Sequence, residues 1–231
     1  MVSPALLKIA AGEFKGLLAD YLLLKASTFL GGRYHTTDSD REAVCTLFRQ
    51  SLALDPYFFQ TCYYIQGYLP WEGKMPEKAI ELLEICKNHR YWDWNPCFFI
   101  GFDYFYFFHD NLAASKYLME GARRPHAPLL LGMLGARLAQ KGGQTETAII
   151  FLKSMYETSD DEATKQQIGL RIEALNGVLT LEKGIEQFKE QCGRPPKNLE
   201  ELVTEGILKK LPSNPYQAPY TYEIENGQIE F

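Results

Sequence analysis

The residues best suited to chemistry in this chain are its four histidines and five cysteines. No two histidines stand four residues apart, the spacing at which two imidazoles on one helix can share a metal ion. No two cysteines are spaced C-x-x-C and their number is odd, which indicates neither a zinc module nor a full disulfide framework. We therefore expect most of the cysteines to be buried as small hydrophobic groups, and free thiols favour a reducing compartment.

The carboxylates offer no better candidate for catalysis. Asp160, Asp161 and Glu162 form an acidic cluster, but they stand where a helix is predicted to begin, a position that suits negative charge. The chain also lacks a nucleophile elbow, a P-loop and a dinucleotide-binding glycine motif. The sequence therefore predicts no enzyme, no metal site and no bound cofactor.

Composition and charge narrow the possible partners. The formal net charge is −5, whereas a nucleic-acid-binding domain would need a basic face. No run of about 18 apolar residues is present, so we expect no transmembrane segment in this chain, and residues 1–11 lack the layout of a signal peptide. A membrane anchor would have to lie outside it. Oligomeric state cannot be read from the sequence.

The elements that must position any site follow a repeat. In the stretch from Met75 to Asn88, the residues Ala79, Leu83 and Cys86 fall on one helical face. Similar triplets occur at the same spacing in three other places, which are Val44, Phe48 and Ser51; Ala114, Leu118 and Gly121; and Ala148, Leu152 and Met155. Four copies at a period of 34 to 35 residues are typical of tandem helical hairpins, so the sequence predicts an all-α fold of the solenoid type.

The repeat divides most of the chain into pairs of helices. Capping boxes at Ser39 with Glu42 and at Ser159 with Glu162 are predicted to open two of the helices, and Asp110 to cap another. The predicted pairs are 13–30 with 39–54, 57–69 with 77–87, 95–108 with 112–123, 128–140 with 145–157, and a degenerate fifth pair of 162–176 with 181–191.

The character of the sequence changes at Gly193, and we predict two domains, 1–192 and 193–231. Asn198 is expected to cap a short helix, with Glu201 reaching back to it. Tyr220 to Ile224 and Gln228 to Phe231 are predicted to form a β-hairpin around Asn226-Gly227. A two-stranded ribbon is marginal alone, so we expect it to pack against the last helix.

The repeats resemble the tetratricopeptide family over residues 13–157. Gly67 stands twelve residues before Ala79, and Ala136 stands twelve before Ala148, as the family pattern requires. Gly101 stands one residue further from Ala114 than the family pattern requires. The resemblance implies a right-handed α-solenoid that binds a protein or peptide partner in the concave groove formed by the first helix of each pair.

Two further resemblances concern the compartment. GLLADYLLLKASTFLGG, LALDP and the proline-rich end together look like bacterial tetratricopeptide proteins that carry a membrane anchor and face the periplasm. The tail GRPPKNLEELVTEGILKKLPSNPY is similar to the C-terminal pattern of type II secretion pseudopilins, although Asn214 replaces an aspartate. These likenesses imply a membrane-associated periplasmic protein of the bacterial envelope, possessing a shared cap module rather than pilin function. The alternative is the cytoplasm.

The predicted binding residues are aromatic, because 18 aromatic residues lie between Tyr57 and Phe108. The family's groove positions correspond to Thr61, Tyr64, Tyr68 and Trp71 in the second repeat, to Phe98, Phe102 and Phe105 or Phe99, Asp103 and Tyr106 in the third, and to Met133, Arg137 and Gln140 in the fourth. From these we select as the predicted partner-binding site Tyr64, Tyr68, Trp71, Phe102 and Arg137.

Two other interpretations of the aromatic residues remain open. FFIGFDYFYFF is apolar all round, which is typical of a helix buried on every side, so the third repeat's first helix is predicted to belong to the core. The aromatic helices could also enclose a lipid or another apolar small molecule, which would make the protein a carrier. A carboxylate clamp is not expected, because Tyr64 and Tyr68 occupy two of its positions and carry no positive charge.

Overall fold

The computed structural model describes residues 4–31 and 37–231, and 69% of the chain is helical. The described residues form eleven α-helices and one two-stranded sheet, so the prediction of an all-α fold is confirmed. The chain divides into two compact units, one ending at Pro128 and the other running from Leu129 to Phe231. Among the described residues, no helix has the length and apolar character needed to cross a lipid bilayer.

The first unit consists of paired helices. The helices of this unit are α1 (Pro4–Ala11), α2 (Lys15–Gly31), α3 (Asp38–Leu54), α4 (Phe59–Tyr68), α5 (Pro76–His89), α6 (Asn95–Phe107) and α7 (Asn111–Ala122). A 3₁₀ turn of three residues joins α1 to α2, and α2 packs against α3, α4 against α5, and α6 against α7.

The second unit contains the fourth predicted pair, a long helix and the small sheet. Its elements are α8 (Leu129–Lys141), α9 (Thr145–Thr158), α10 (Glu162–Cys192), α11 (Glu201–Thr204), β1 (Thr221–Tyr222) and β2 (Ile229–Glu230). α9 packs against both α8 and α10. The helix α10 ends at a left-handed Gly193, where the sequence changes character; the division into domains at that point stays a prediction.

The repeated triplets form the buried stripe of the second helix in each pair. Eleven of the twelve residues are buried, and Met155 at the end of the last triplet is half-buried. Gly101 on α6 lies close to α7, because a Cβ there would lie 2.9 Å from the side chain of Leu118 and 3.1 Å from the carbonyl oxygen of Ala114. The 34- to 35-residue period of the sequence therefore corresponds to a periodic core.

The predicted fifth hairpin is wrong, because residues 162–192 form one continuous helix of 31 residues. Gly177 lies inside it instead of ending it. The apolar stripe of Val178, Leu181, Ile185 and Phe188 is buried and continues at helical spacing past this glycine. Burial of that stripe outweighs the roughly 1 kcal/mol that a glycine costs inside a helix.

The helix starts agree only in part with the predicted caps. Asp110 caps α7 as expected, accepting a hydrogen bond of 2.9 Å from the amide of Ala113. The box at the start of α3 joins Thr37 and Asp40 rather than Ser39 and Glu42.

At α10 the cap is Asp161, which accepts from the Thr164 amide at 2.8 Å, rather than Ser159. Both segments contain several adjacent residues able to cap, so composition alone does not select among them.

The C-terminal hairpin packs on α10, as predicted. Ile229 of β2 is buried in one cluster with Phe188 of α10 and Leu202 of α11. The strands are only two residues long, shorter than predicted, and the loop between them is closed by Gly227 at φ +74°. The Tyr220 hydroxyl donates a hydrogen bond of 3.0 Å to the carbonyl oxygen of Ala174.

The cysteines depart from the expectation of free thiols. Cys62 on α4 and Cys86 on α5 are joined by a disulfide, with their Cα atoms 6.2 Å apart. Cys45 and Cys97 are buried free thiols, as predicted, and Cys192 is exposed. The spacing between Cys62 and Cys86 matches no short motif, so only the packing of α4 against α5 identifies the pair.

We expect the chain, denatured without reductant, to react with maleimide at three cysteines, and at all five after reduction. Because the bond closes a loop of about 24 residues, reduction should lower the free energy of unfolding by about 3 kcal/mol. Mass spectrometry of the labelled chain and urea unfolding measure the two effects. Five reactive thiols before reduction would contradict this pairing.

Gly177→Ala should destabilise the second unit by about 1–3 kcal/mol, because a Cβ at this position would overlap the Tyr220 phenol. The control is Gly169→Ala on the same helix, where the nearest atom, in the ring of Tyr156, is 3.7 Å from the added Cβ. Thermal unfolding of the two variants measures the difference. Equal effects would show that the hairpin does not pack on α10 at this point.

Candidate functional site

One surface feature of the first unit is a groove lined by aromatic residues of α4, of the turn after it and of α6. It encloses about 270 Å³. We call it the α4–α6 groove, and it is lined by Tyr63, Gln66, Gly67, Trp71, Phe98, Phe99 and Phe102.

Helix α4 supplies one wall because of the way it packs. It buries Thr61, Cys62, Ile65 and Tyr68 against its neighbours. The opposite face therefore carries Tyr63 and Gly67, which are both exposed. A Cβ at Gly67 would have no atom within 4 Å, so this glycine leaves open space in the wall of the groove.

Trp71 lines the groove and follows α4 in a tight turn. Its ring centroid lies 6.1 Å from that of Phe102, 5.1 Å from Tyr106 and 4.9 Å from Phe107. The turn requires Gly73, because a Cβ there would lie 2.6 Å from the carbonyl oxygen of Leu69. The ring contacts hold the indole of Trp71 in place, and the side chain is still 40% exposed to solvent.

A buried polar pair joins the two walls. Gln66 Nε2 donates a hydrogen bond of 2.8 Å to Asp103 Oδ1, and Asp103 is fully buried. Burial raises the pKa of the Asp103 carboxyl to about 7, although the hydrogen bond from Gln66 opposes this shift. The other oxygen of each side chain, Asp103 Oδ2 and Gln66 Oε1, has no hydrogen-bond partner among the described residues.

Helix α6 is not buried on every side, contrary to the prediction for FFIGFDYFYFF. Its first half buries Cys97, Phe99 and Ile100, but Phe105 and the 49%-exposed Tyr106 near its end face solvent. The helix packs against α5 and α7, which leaves part of its surface uncovered.

The structure separates the predicted site residues. Trp71 and Phe102 line the groove. Tyr64 is 39% exposed and contacts the ring of Tyr63, but it does not line the groove. Arg137 is exposed and belongs to the second unit, on α8. These placements leave their roles in binding as predictions.

Tyr68 requires a correction, because its side chain is only 3% exposed. It belongs to the hydrophobic core of the first unit, where its ring meets that of Phe48 edge-on at 6.5 Å. Thr61 is buried as well, so α4 presents Tyr63 and Gly67 at the surface instead of Thr61 and Tyr68.

Tyr63 and Gln66 were not among the predicted site residues, and Gly67 was identified only as the small residue of the family spacing. Tyr63, Gly67 and Trp71 stand four residues apart, which is the available signal for one helical face. Gly67 has no close helix contact, whereas Gly101, the glycine that did not fit the family spacing, lies close to α7.

The arrangement of the described residues adds no candidate for a metal site or a catalytic site. Within residues 4–31 and 37–231, no group of three or more His, Cys, Asp or Glu side chains could hold a metal ion. His35 lies outside the described residues. His89 caps the end of α5, with its Nδ1 atom 2.9 Å from the carbonyl oxygen of Ile85.

No protein-family model, curated protein or solved structure matches the chain. The resemblance to tetratricopeptide proteins therefore stays a prediction.

Asp103→Asn should weaken the dependence of stability on pH. Between pH 3.8 and about 7 the folded state holds a proton on Asp103 that the unfolded chain releases, so stability falls as the pH rises through this window. The asparagine has no proton to release, and its oxygen can still accept from Gln66. Urea unfolding at pH 5 and pH 7.5 measures the change in both proteins.

The control is Asp20→Asn, which removes an exposed carboxyl from α2 of the same unit. It should keep the pH dependence of the parent chain. Identical pH dependence in the parent and the Asp103 variant would mean that Asp103 ionises normally and that the account of the buried pair is wrong.

Proposed function

We propose that this chain is a non-enzymatic interaction module that holds an apolar segment of a partner protein in the α4–α6 groove. The observation that carries the proposal is the exposure of ordered aromatic side chains along one groove. Aromatic residues bury large areas on contact, and tyrosine and tryptophan also offer a polar tip, which is why they dominate protein-binding surfaces.

The form of the groove supports a protein segment over a free small molecule. Its volume of about 270 Å³ lies below the usual range for small-molecule sites, about 300–1,000 Å³, and is suited to one or two apolar side chains. The carrier function suggested by the aromatic content therefore has less support.

The rigidity of the groove also favours binding. The Cys62–Cys86 bond ties α4 to α5, and the Gln66–Asp103 hydrogen bond ties α4 to α6. A surface that is already ordered loses little conformational entropy when a partner binds.

The buried triplets support a solenoid of tetratricopeptide type, with right-handed stacking taken from the family resemblance. The compartment we propose is the bacterial envelope, on the periplasmic side. Structural disulfides persist in oxidising compartments, so the Cys62–Cys86 bond supports this choice over the cytoplasm.

Gly67→Leu should abolish binding by filling the groove. Peptides are first selected on the parent chain from a random 12-residue library, and their affinities are then measured by fluorescence anisotropy. Because nothing lies within 4 Å of a Cβ at Gly67, the leucine should fit without unfolding the protein. We expect at least a tenfold loss of affinity, which corresponds to about 1.4 kcal/mol.

The matched control is Gly16→Leu on α2, where a Cβ likewise has no atom within 4 Å. It should bind the peptides as tightly as the parent chain. If the peptides bind the parent chain, Gly67→Leu and Gly16→Leu equally well, the interaction lies outside the groove. Native mass spectrometry of the purified protein tests the carrier alternative. A persistent apolar adduct on the parent chain that is absent from Gly67→Leu would favour the carrier function.

A further inference from the structure

A small basic pocket lies in the second unit, where α8, α10 and the end of the hairpin meet. It encloses about 90 Å³, enough for one small ion. Three of its six lining residues are cationic, and the full set is Arg137, Gln140, Lys141, Arg171, Glu230 and Phe231.

The positive charge of the pocket is only partly neutralised. Its one carboxylate side chain, that of Glu230, forms an ion pair of 2.8 Å with Lys141. Neither Arg137 nor Arg171 has an ion pair with any carboxylate in the described part of the chain. Two guanidinium groups close enough to repel each other therefore share a pocket whose one carboxylate side chain is already paired with Lys141.

Arg171 is held in a fixed orientation. Its guanidinium carbon lies 4.3 Å from the ring centroid of Phe231, which is itself stacked on Tyr216 at 6.0 Å. The Nε atom is buried and has no hydrogen-bond partner in residues 4–31 and 37–231. A buried and unpaired donor on a charged group is costly, and a bound anion would remove that cost.

The environment of Arg171 agrees with an uncompensated positive charge. Burial lowers the pKa of its guanidinium, and the neighbouring charge of Arg137 lowers the pKa further, while Tyr216 acts in the opposite direction. The wall beside it is ordered, because Gln140 Nε2 donates a hydrogen bond of 2.8 Å to the carbonyl oxygen of Ile229.

We infer that Arg137 and Arg171 form a binding site for a small oxyanion, a carboxylate or phosphate group. The planar fork of a guanidinium matches both groups and can donate two parallel hydrogen bonds to either. Stacking on Phe231 fixes the plane of Arg171, and the exposed Arg137 supplies the second cation. A carboxylate could belong to an acidic peptide, whereas phosphate could bind as the free ion.

Titration by NMR tests the site directly, with inorganic phosphate in one arm and N-acetyl-aspartate amide in the other. Sodium chloride keeps the ionic strength constant. The Arg171 Nε–H resonance should shift and saturate with at least one of the two anions. The anion that binds with the higher affinity shows whether the site takes phosphate or a peptide carboxylate. Arg137→Gln should weaken binding by roughly tenfold, the loss expected for one charged hydrogen bond.

The control is Lys153→Gln on α9, which removes one exposed positive charge outside the pocket. It should leave the affinity unchanged. A version with four extra residues after Phe231 is measured alongside, so that a terminal carboxylate cannot compete for the pocket. Saturation in either version supports the site. No saturation in both, or equal affinity in Arg137→Gln and the parent chain, would overturn the inference.

Discussion

The packing of one apolar stripe on the second helix of each pair is the constraint on which the rest of the structure depends. The stripe recurs every 34 to 35 residues and is buried in all four pairs. At Gly101 the backbone of α6 comes so close to Leu118 of α7 that even a methyl group would meet its side chain. The first helices bury one face as well, with six buried residues in α6 and seven in α8, and only their remaining faces are left to form a surface.

The exposed aromatic surface results from the way in which α4 packs. Helix α4 uses one face for the core, its opposite face carries the exposed Tyr63, and the exposed Trp71 follows the helix in a turn. The hydrogen bond between Gln66 and Asp103 then fixes α4 beside α6, so the exposed ring of Tyr63 and the half-buried rings of Phe98 and Phe102 border one groove. Apolar surface that is ordered and uncovered is the feature expected of a protein-binding site.

The sequence predicted the periodic core well and the surface less well. A repeated triplet of small, large and small residues has few packing solutions, so the helix pairs followed from it. The side of α4 that faces the core depends on neighbouring helices, which is why Tyr68 was placed on the surface. The helix predicted to end at residue 176 continues through Gly177, whose open side is filled by the Tyr220 phenol from far along the chain. The disulfide of Cys62 likewise depends on tertiary packing.

The measurement that tests the central claim most directly is an NMR titration of the three tryptophan indole N–H resonances with a peptide selected on the parent chain. Trp71 borders the groove, whereas Trp92 and Trp94 lie outside it. The account predicts a saturable shift of the Trp71 resonance, with the other two unchanged. A shift of Trp92 or Trp94 alone would place the binding surface elsewhere and contradict the account.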